Sequence, residues 1–151
     1  VKVQKGQLLQ ERRCKMPGQP QVAGILEFDV SNLEVSAEPS PGPLNIVPVG
    51  EDFTLTATFG ATPGGIWWNE IKDDAEAYNG AFYAEGWGVA AGDIDLGDEP
   101  GNFGAPDTYT QDHVVSGGIA QPGVYKMACV VTLPGVPGVV GYYDGLVVQV
   151  Y

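Results

Sequence analysis

Glycine and proline are spread along the whole chain, and they limit what it can fold into. The sequence contains 22 glycines and 12 prolines among 151 residues. Both residues disfavour helix interiors, because glycine costs backbone entropy and proline removes a hydrogen-bond donor. One short helix could form within residues 66–79 through Ile71 and the residues after it, although Trp67 and Trp68 just before it favour a strand. The pattern predicts a mainly β fold.

Apolar residues at every second position predict the strands. In residues 53–59 they alternate with three threonines, and in residues 26–30 they alternate with acidic residues. Residues 125–133 are largely apolar on both faces, which is typical of a central strand. The dipeptide Asp144-Gly145 lies between two strand-like runs and predicts a type I′ hairpin turn, because glycine accepts a positive φ. About seven to nine short strands joined by turns favour an antiparallel β-sandwich.

The order of these segments resembles that of immunoglobulin-like domains. The tryptophan pair Trp67-Trp68 follows the strand at residues 53–59, and the run Pro122-Gly-Val-Tyr-Lys-Met-Ala-Cys129 precedes a final strand, similar to strands B, C, F and G of that family. The strand at residues 53–59 has no cysteine, so the antibody-type disulfide is not part of the resemblance. The resemblance implies a sandwich used for adhesion, assembly or binding, without catalytic residues.

We therefore expect an all-β protein with two parts. Residues 1–21 are a basic N-terminal arm followed by a proline-containing spacer, and the arm is expected to be extended. Residues 22–151 are one acidic domain, an antiparallel β-sandwich of immunoglobulin-like or jelly-roll-like type.

Charge is distributed very unevenly between these parts. The first fifteen residues hold five of the seven basic residues and one acid, a net charge of +4, whereas residues 16–151 hold two lysines and eighteen acids, a net charge of −16. Opposite charges in one chain predict association between copies. The acidic body argues against nucleic acid and anionic membrane surfaces as partners. No apolar run approaches the roughly 18 residues that a membrane helix needs, so membrane insertion is not expected.

The N-terminal residues are long enough to add a strand to the sheet edge of a neighbouring copy. In this hypothesis the neighbour buries the apolar residues, and the basic residues steer the approach, an effect that salt weakens. The alternative is a solvated tail, which chain termini often are. The residues assigned to the assembly arm are Val1, Lys2, Val3, Lys5, Leu8, Leu9, Arg12 and Arg13.

The two cysteines, Cys14 and Cys129, fit one disulfide that ties the arm to a late strand, as exported proteins often have. The alternative is a free, buried Cys129 in an apolar strand. The chain begins at Val1 rather than at methionine, from which we expect an exported, N-terminally processed protein located outside the cell or at its surface.

An acidic, glycine-containing segment at residues 92–102 is interpreted as a loop. Carboxylate oxygens on a flexible loop are suitable ligands for Ca²⁺, which takes about 6–8 oxygens. The EF-hand spacing is absent, so the alternative is a solvated acidic loop that keeps the protein soluble. The candidate calcium ligands are Asp93, Asp95, Asp98 and Glu99.

Aromatic residues cluster between positions 67 and 87. Exposed on a sandwich face they could stack on sugar rings, as in a carbohydrate-binding module. The alternative is that they belong to the core and to a subunit contact, where aromatic residues are also enriched. The candidate residues are Trp67, Trp68, Tyr83 and Trp87.

Catalytic chemistry has little support in the sequence. The single histidine, His113, follows Asp112 directly, and adjacent strand residues face opposite ways, so the two cannot form an orienting pair. No nucleophile motif or zinc-ligand spacing occurs, and we assign no catalytic residues. We expect a non-enzymatic extracellular structural subunit that self-assembles into a filament or shell through its N-terminal arm. The alternative is a carbohydrate-binding β-sandwich module.

Overall fold

The computed structural model describes residues 26–37, 45–63, 65–88 and 92–151. This part of the chain contains eight strands and one short helix. In chain order the elements are β1 (Phe28–Ser36), β2 (Ile46–Val47), β3 (Phe53–Ala61), α1 (Ile66–Asp73), β4 (Ala77–Trp87), β5 (Gly92–Asn102), β6 (Thr108–Val115), β7 (Gly123–Thr132) and β8 (Val140–Val150).

The strands form two sheets. One has three strands in the order β1-β3-β6, and the other has five in the order β2-β8-β7-β4-β5. All neighbouring strands are antiparallel except β2, which runs parallel to β8. The inner faces of both sheets contribute to one hydrophobic core. The prediction of an all-β, mainly antiparallel sandwich is confirmed.

Strands β3 and β7 follow the pattern expected from the sequence. In β3 the residues Phe53, Leu55, Ala57 and Phe59 are buried, and the threonines between them are only partly buried. Strand β7 lies between β4 and β8, so its predicted central position is confirmed. Strand β1 begins at Phe28 and is longer than expected, with a bulge after Val30 that shifts the register.

The tryptophan pair lies in a helix rather than in a strand. Helix α1 begins at Ile66 and includes both Trp67 and Trp68, so the strand that we expected there is wrong, whereas the short helix is confirmed. The helix is shorter than the 66–79 stretch because Ala75 adopts a positive φ of 49° and the chain then enters β4.

The predicted hairpin turn at Asp144-Gly145 is wrong. Both residues lie within β8, where Met127 pairs with Leu146 and Cys129 pairs with Tyr143. The dipeptide therefore forms a bulge opposite β7, and neither residue is among those with a positive φ. Pairing along β7 keeps the two halves of β8 in one strand, whereas a hairpin would pair them with each other.

The acidic segment is also not a loop. Residues 92–102 form β5, which pairs along its length with β4. The alternation of acidic and apolar residues at the start of β5 is typical of an edge strand with one solvent-exposed face. The described part of the chain contains no helix with the length and apolar character needed to span a bilayer. The predicted arm and spacer, residues 1–21, lie outside the described residues.

Candidate interaction surface

The outward side of the five-stranded sheet carries most of the large hydrophobic side chains that are exposed in the described residues. Strand β4 buries Phe82 and Ala84 and therefore turns its odd-numbered residues to solvent. Among them, Tyr83 is 41% exposed and Trp87 is 50% exposed, and on β8 Tyr142 is 55% exposed. We call this surface the outer sheet face and define it by Tyr83, Glu85, Trp87, Asp93, Asp95, Asp98, Val124, Lys126, Val140, Tyr142, Asp144 and Val147.

Register places an ion pair at the centre of the outer sheet face. Glu85 on β4 lies opposite Lys126 on β7, which lies opposite Val147 on β8. Lys126 Nζ is 3.4 Å from Glu85 Oε2 and 3.4 Å from Asp144 Oδ2. Hydrogen bonding and charge from Glu85, then from Asp144, raise the pKa of Lys126. The bulge thus places Asp144 beside Lys126, so the ammonium group of the lysine is paired within the sheet.

The four candidate calcium ligands are divided between two sides of β5. Asp93, Asp95 and Asp98 pair with outward-facing positions of β4 and form an acidic column beside the aromatic residues. Glu99 faces the other sheet and contacts His113 instead. One oxygen of Asp95 accepts a hydrogen bond from the backbone of Gly97. In the described residues, no group of three or more histidine, cysteine or carboxylate side chains could hold a metal ion. The calcium hypothesis therefore gains no support.

A buried histidine links the exposed edges of the two sheets. His113 on β6 places Nδ1 3.0 Å from Glu99 Oε1, and its Nε2 donates to the carbonyl of Leu96 on β5 at 2.6 Å. Its ring stacks on Phe82 with 4.9 Å between centroids. Gly97 makes room for the ring, since a Cβ there would lie 3.0 Å from His113 Cε1. The histidine thus joins β5 to β6 across the sandwich.

The sequence pointed to His113 only as a possible catalytic residue and did not reveal this contact. The expectation that Asp112 and His113 face opposite ways is confirmed, because Asp112 faces outward and accepts a hydrogen bond from Thr56. The signal for the contact was the glycine after Leu96 in a strand-like segment, which indicates close approach of another group.

The aromatic candidates fall into two groups. Trp68 is fully buried, and its Nε1 donates to Asp107 at 3.0 Å, so it cannot stack on a ligand. Lys72 on the same helix forms an ion pair with Asp107 and holds the pKa of that carboxyl below its usual value. Trp67 is partly buried on this helix. Of the four candidates, Tyr83 and Trp87 share the outer sheet face, and Trp67 and Trp68 do not.

Cys129 is a free, buried thiol in the described part of the chain, rather than half of a disulfide. It lies on the core side of β7, and burial raises its pKa to about 12. Its proposed partner Cys14 lies outside the described residues. The same holds for all residues assigned to the assembly arm: Val1, Lys2, Val3, Lys5, Leu8, Leu9, Arg12 and Arg13.

Comparisons with known proteins give no family. No protein-family model matches the chain. No curated protein matches it either. A superoxide reductase (neelaredoxin) from Ignicoccus hospitalis is 11% identical, with 91% of this chain and 92% of that chain covered and a TM-score of 0.47. A β-glucosidase from Listeria innocua is 15% identical and has a TM-score of 0.45, with 83% of this chain but only 16% of the enzyme covered. At these values neither likeness supports a conclusion about activity.

Proposed function

We propose that this protein is a non-enzymatic structural subunit that self-assembles through its basic N-terminal residues. One observation carries the proposal: both lysines of the described body are already paired within it. Lys72 contacts Asp107, and Lys126 lies between Glu85 and Asp144. The other carboxylates of the body therefore have no lysine partner in the described residues. The cations that could balance them are the five in residues 1–15.

In the proposed mechanism, the arm of one copy binds the acidic body of another. Such a contact joins two different surfaces, so it produces a ring if the rotation closes and an open fibre if it does not. An extended arm can supply main-chain hydrogen bonds as well as charge. This use of the arm fits a subunit of an extracellular filament or shell, which is the location that we propose.

Strand order supports the finer proposal of an immunoglobulin-like sandwich. In that family strands C, F and G share one sheet, strand B lies in the other, and variable domains add C′ beside C. Here β4, β7 and β8 are neighbours in one sheet with β5 beside β4, and β3 lies in the other sheet. The tryptophan pair does not contribute, because it lies in α1 rather than in the C-like strand.

Light scattering on the full chain tests the assembly proposal. The variant replaces Lys2, Lys5, Arg12 and Arg13 by glutamine, and the control replaces the exposed Thr110 of β6, on the other sheet, by alanine. We expect the wild type and the control to form large species at low salt that dissociate near 1 M salt, where the Debye length is about 3 Å. We expect the variant to remain a 15.9 kDa monomer. Monomers in all three proteins at low salt would refute self-assembly.

A carbohydrate-binding module is the second candidate. Tyr83 and Trp87 are exposed on the same side of one strand, four residues or about 13 Å apart, and Glu85 lies between them. Two exposed rings at such a spacing, with a carboxylate between them that can accept hydrogen bonds from hydroxyl groups, could stack on two non-adjacent sugars of one glycan. In this case Trp87→Ala should abolish binding in a glycan screen, and the arm variant should bind as the wild type does. Binding that is unchanged in Trp87→Ala would exclude this use of the outer sheet face.

A further inference from the structure

We propose that the outer sheet face is the surface that receives residues 1–15 of a neighbouring copy. The inference rests on the self-assembly proposed above and adds the position of the acceptor. Its occupant is the chain's own N-terminal segment, which lies outside the described residues.

Charge is the first reason for this assignment. The outer sheet face carries five carboxylates, Glu85, Asp93, Asp95, Asp98 and Asp144, against the single ammonium of Lys126, a net charge of −4. Residues 1–15 carry five cations and one acid, a net charge of +4. The net charges of the arm and of the outer sheet face are therefore equal and opposite, which favours encounter of the arm with this face.

Apolar character is the second reason, because the arm also contains valines and leucines that need apolar contacts. Among the described residues, six of the nine large hydrophobic side chains that are exposed lie on the outer sheet face. These six are Tyr83, Trp87, Val124, Val140, Tyr142 and Val147. Exposed apolar surface of this kind, surrounded by polar groups, is typical of a binding site.

The outward side of the three-stranded sheet differs in this respect. Strand β3 presents three threonines there, and the acids on its neighbours include Asp29, Glu34 and Asp112. Among the described residues, the large hydrophobic side chain that is exposed on this side is Val114. This side could attract a cation, but it offers little to the apolar residues of the arm. The contrast favours the five-stranded sheet and provides a matched control surface.

Chain length allows the arm to reach either the same molecule or a neighbour, whereas chain direction favours a neighbour. Residues 1–15 can span at most about 50 Å when extended, and residues 16–25 add at most about 33 Å of reach. The described body begins at Leu26 and enters β1, which belongs to the three-stranded sheet. To reach its own outer sheet face, the arm would have to pass around the edge of the sandwich. The face of a second copy needs no such path.

A charge exchange on the full chain tests the acceptor. The face variant is Asp93→Lys with Asp98→Lys, two exposed positions, and the arm variant is Lys2→Glu with Lys5→Glu. The combined variant carries all four changes and has the wild-type net charge. The control is Asp29→Lys with Glu34→Lys on the other sheet, which changes the net charge as the face variant does. Light scattering at low salt measures association, and circular dichroism checks that each variant is folded.

We expect the face and arm variants each to weaken association by about tenfold or more, because like charges then meet at the contact. We expect the combined variant to recover most of the loss and the control to associate like the wild type. Equal weakening by the control, or no recovery in the combined variant, would overturn the proposed acceptor. Loss of association in the arm variant alone would also overturn it, although self-assembly itself would stand. No change in either variant would refute both proposals.

Discussion

Replacing Trp68 by alanine should destabilise the protein more than any other tryptophan substitution. Trp68 is 0% exposed and lies in α1 against the aromatic part of the core. Its ring meets Phe103 edge-on at 5.0 Å between centroids and lies 6.2 Å from both Phe28 and Tyr109. Its indole nitrogen donates a hydrogen bond to Asp107. Alanine would remove these contacts and leave a cavity between the helix and the sheets.

The expected loss can be worked from these contacts. Truncating a buried tryptophan to alanine costs about 3–5 kcal/mol in lost burial and cavity formation. The hydrogen bond adds little, because Asp107 is partly exposed and keeps its ion pair with Lys72. For a domain of this size each kcal/mol lowers Tm by about 2–4 °C. The Tm of Trp68→Ala should therefore be about 10–15 °C below that of the wild type, using the middle of both ranges.

Thermal unfolding followed by far-ultraviolet circular dichroism is the suitable assay, because tryptophan fluorescence itself changes with the substitution. Trp87→Ala is the matched control, since Trp87 is half exposed on the outer sheet face. Surface changes of that kind usually cost less than about 0.5 kcal/mol, or about 2 °C here. Equal, small shifts in both variants would refute the assignment of Trp68 to the core.

Three further predictions concern single side chains. His113→Ala removes the link between the sheet edges and leaves a strand carbonyl without its donor, so the free energy of unfolding in urea should fall by about 1–3 kcal/mol; an unchanged midpoint would contradict this role. In a Cys14→Ser variant, Cys129 should not react with a thiol reagent at about pH 8 until denaturant is added. Burial blocks access of the reagent and raises the pKa of the thiol to about 12. Reaction in the native state would contradict the burial of Cys129 in the core. Because the pKa of Asp107 is lowered in the folded protein, its carboxylate contributes stability at pH values above the unfolded pKa of about 3.9, and this contribution is lost as the pH falls through the folded pKa. The difference in Tm between the wild type and Asp107→Asn should therefore be smaller at about pH 3 than at about pH 6. A constant difference would argue against the ion pair with Lys72.

Most strands could be predicted because core burial imposes a period of two. Residues 53–59 show it directly and lie in β3, whereas residues 125–133 are largely apolar on both faces and lie in the central strand β7 up to Thr132. Asp144-Gly145 could not be placed in the same way, because a turn and a bulge use the same residue types and differ only in what the flanking residues pair with. Here β7 holds both flanks, which no local pattern reveals.

The outer sheet face was only partly visible in the sequence. Tyr83 and Trp87 were singled out as aromatic residues. Tyr142 and Val147, which lie on the same face, were missed because the bulge in β8 shifts the alternation between them. Asp93, Asp95 and Asp98 were recognised as an acidic group. Their assignment to a loop hid the fact that a strand turns all three to one side.

The short parallel pair between β2 and β8 has a consequence for a chain under tension. Gln149 donates to the carbonyl of Asn45 at 2.8 Å, Tyr151 donates to that of Val47 at 3.1 Å, and Val49 donates back to Tyr151 at 2.7 Å. A pull that enters β2 from its N-terminal side and leaves through Tyr151 drags these parallel strands along their axes in opposite directions. The three bonds are then sheared together, whereas a hairpin pulled apart at its open end loses its bonds one at a time. A force applied between these two points would meet a resistance that the thermal stability of the protein does not measure.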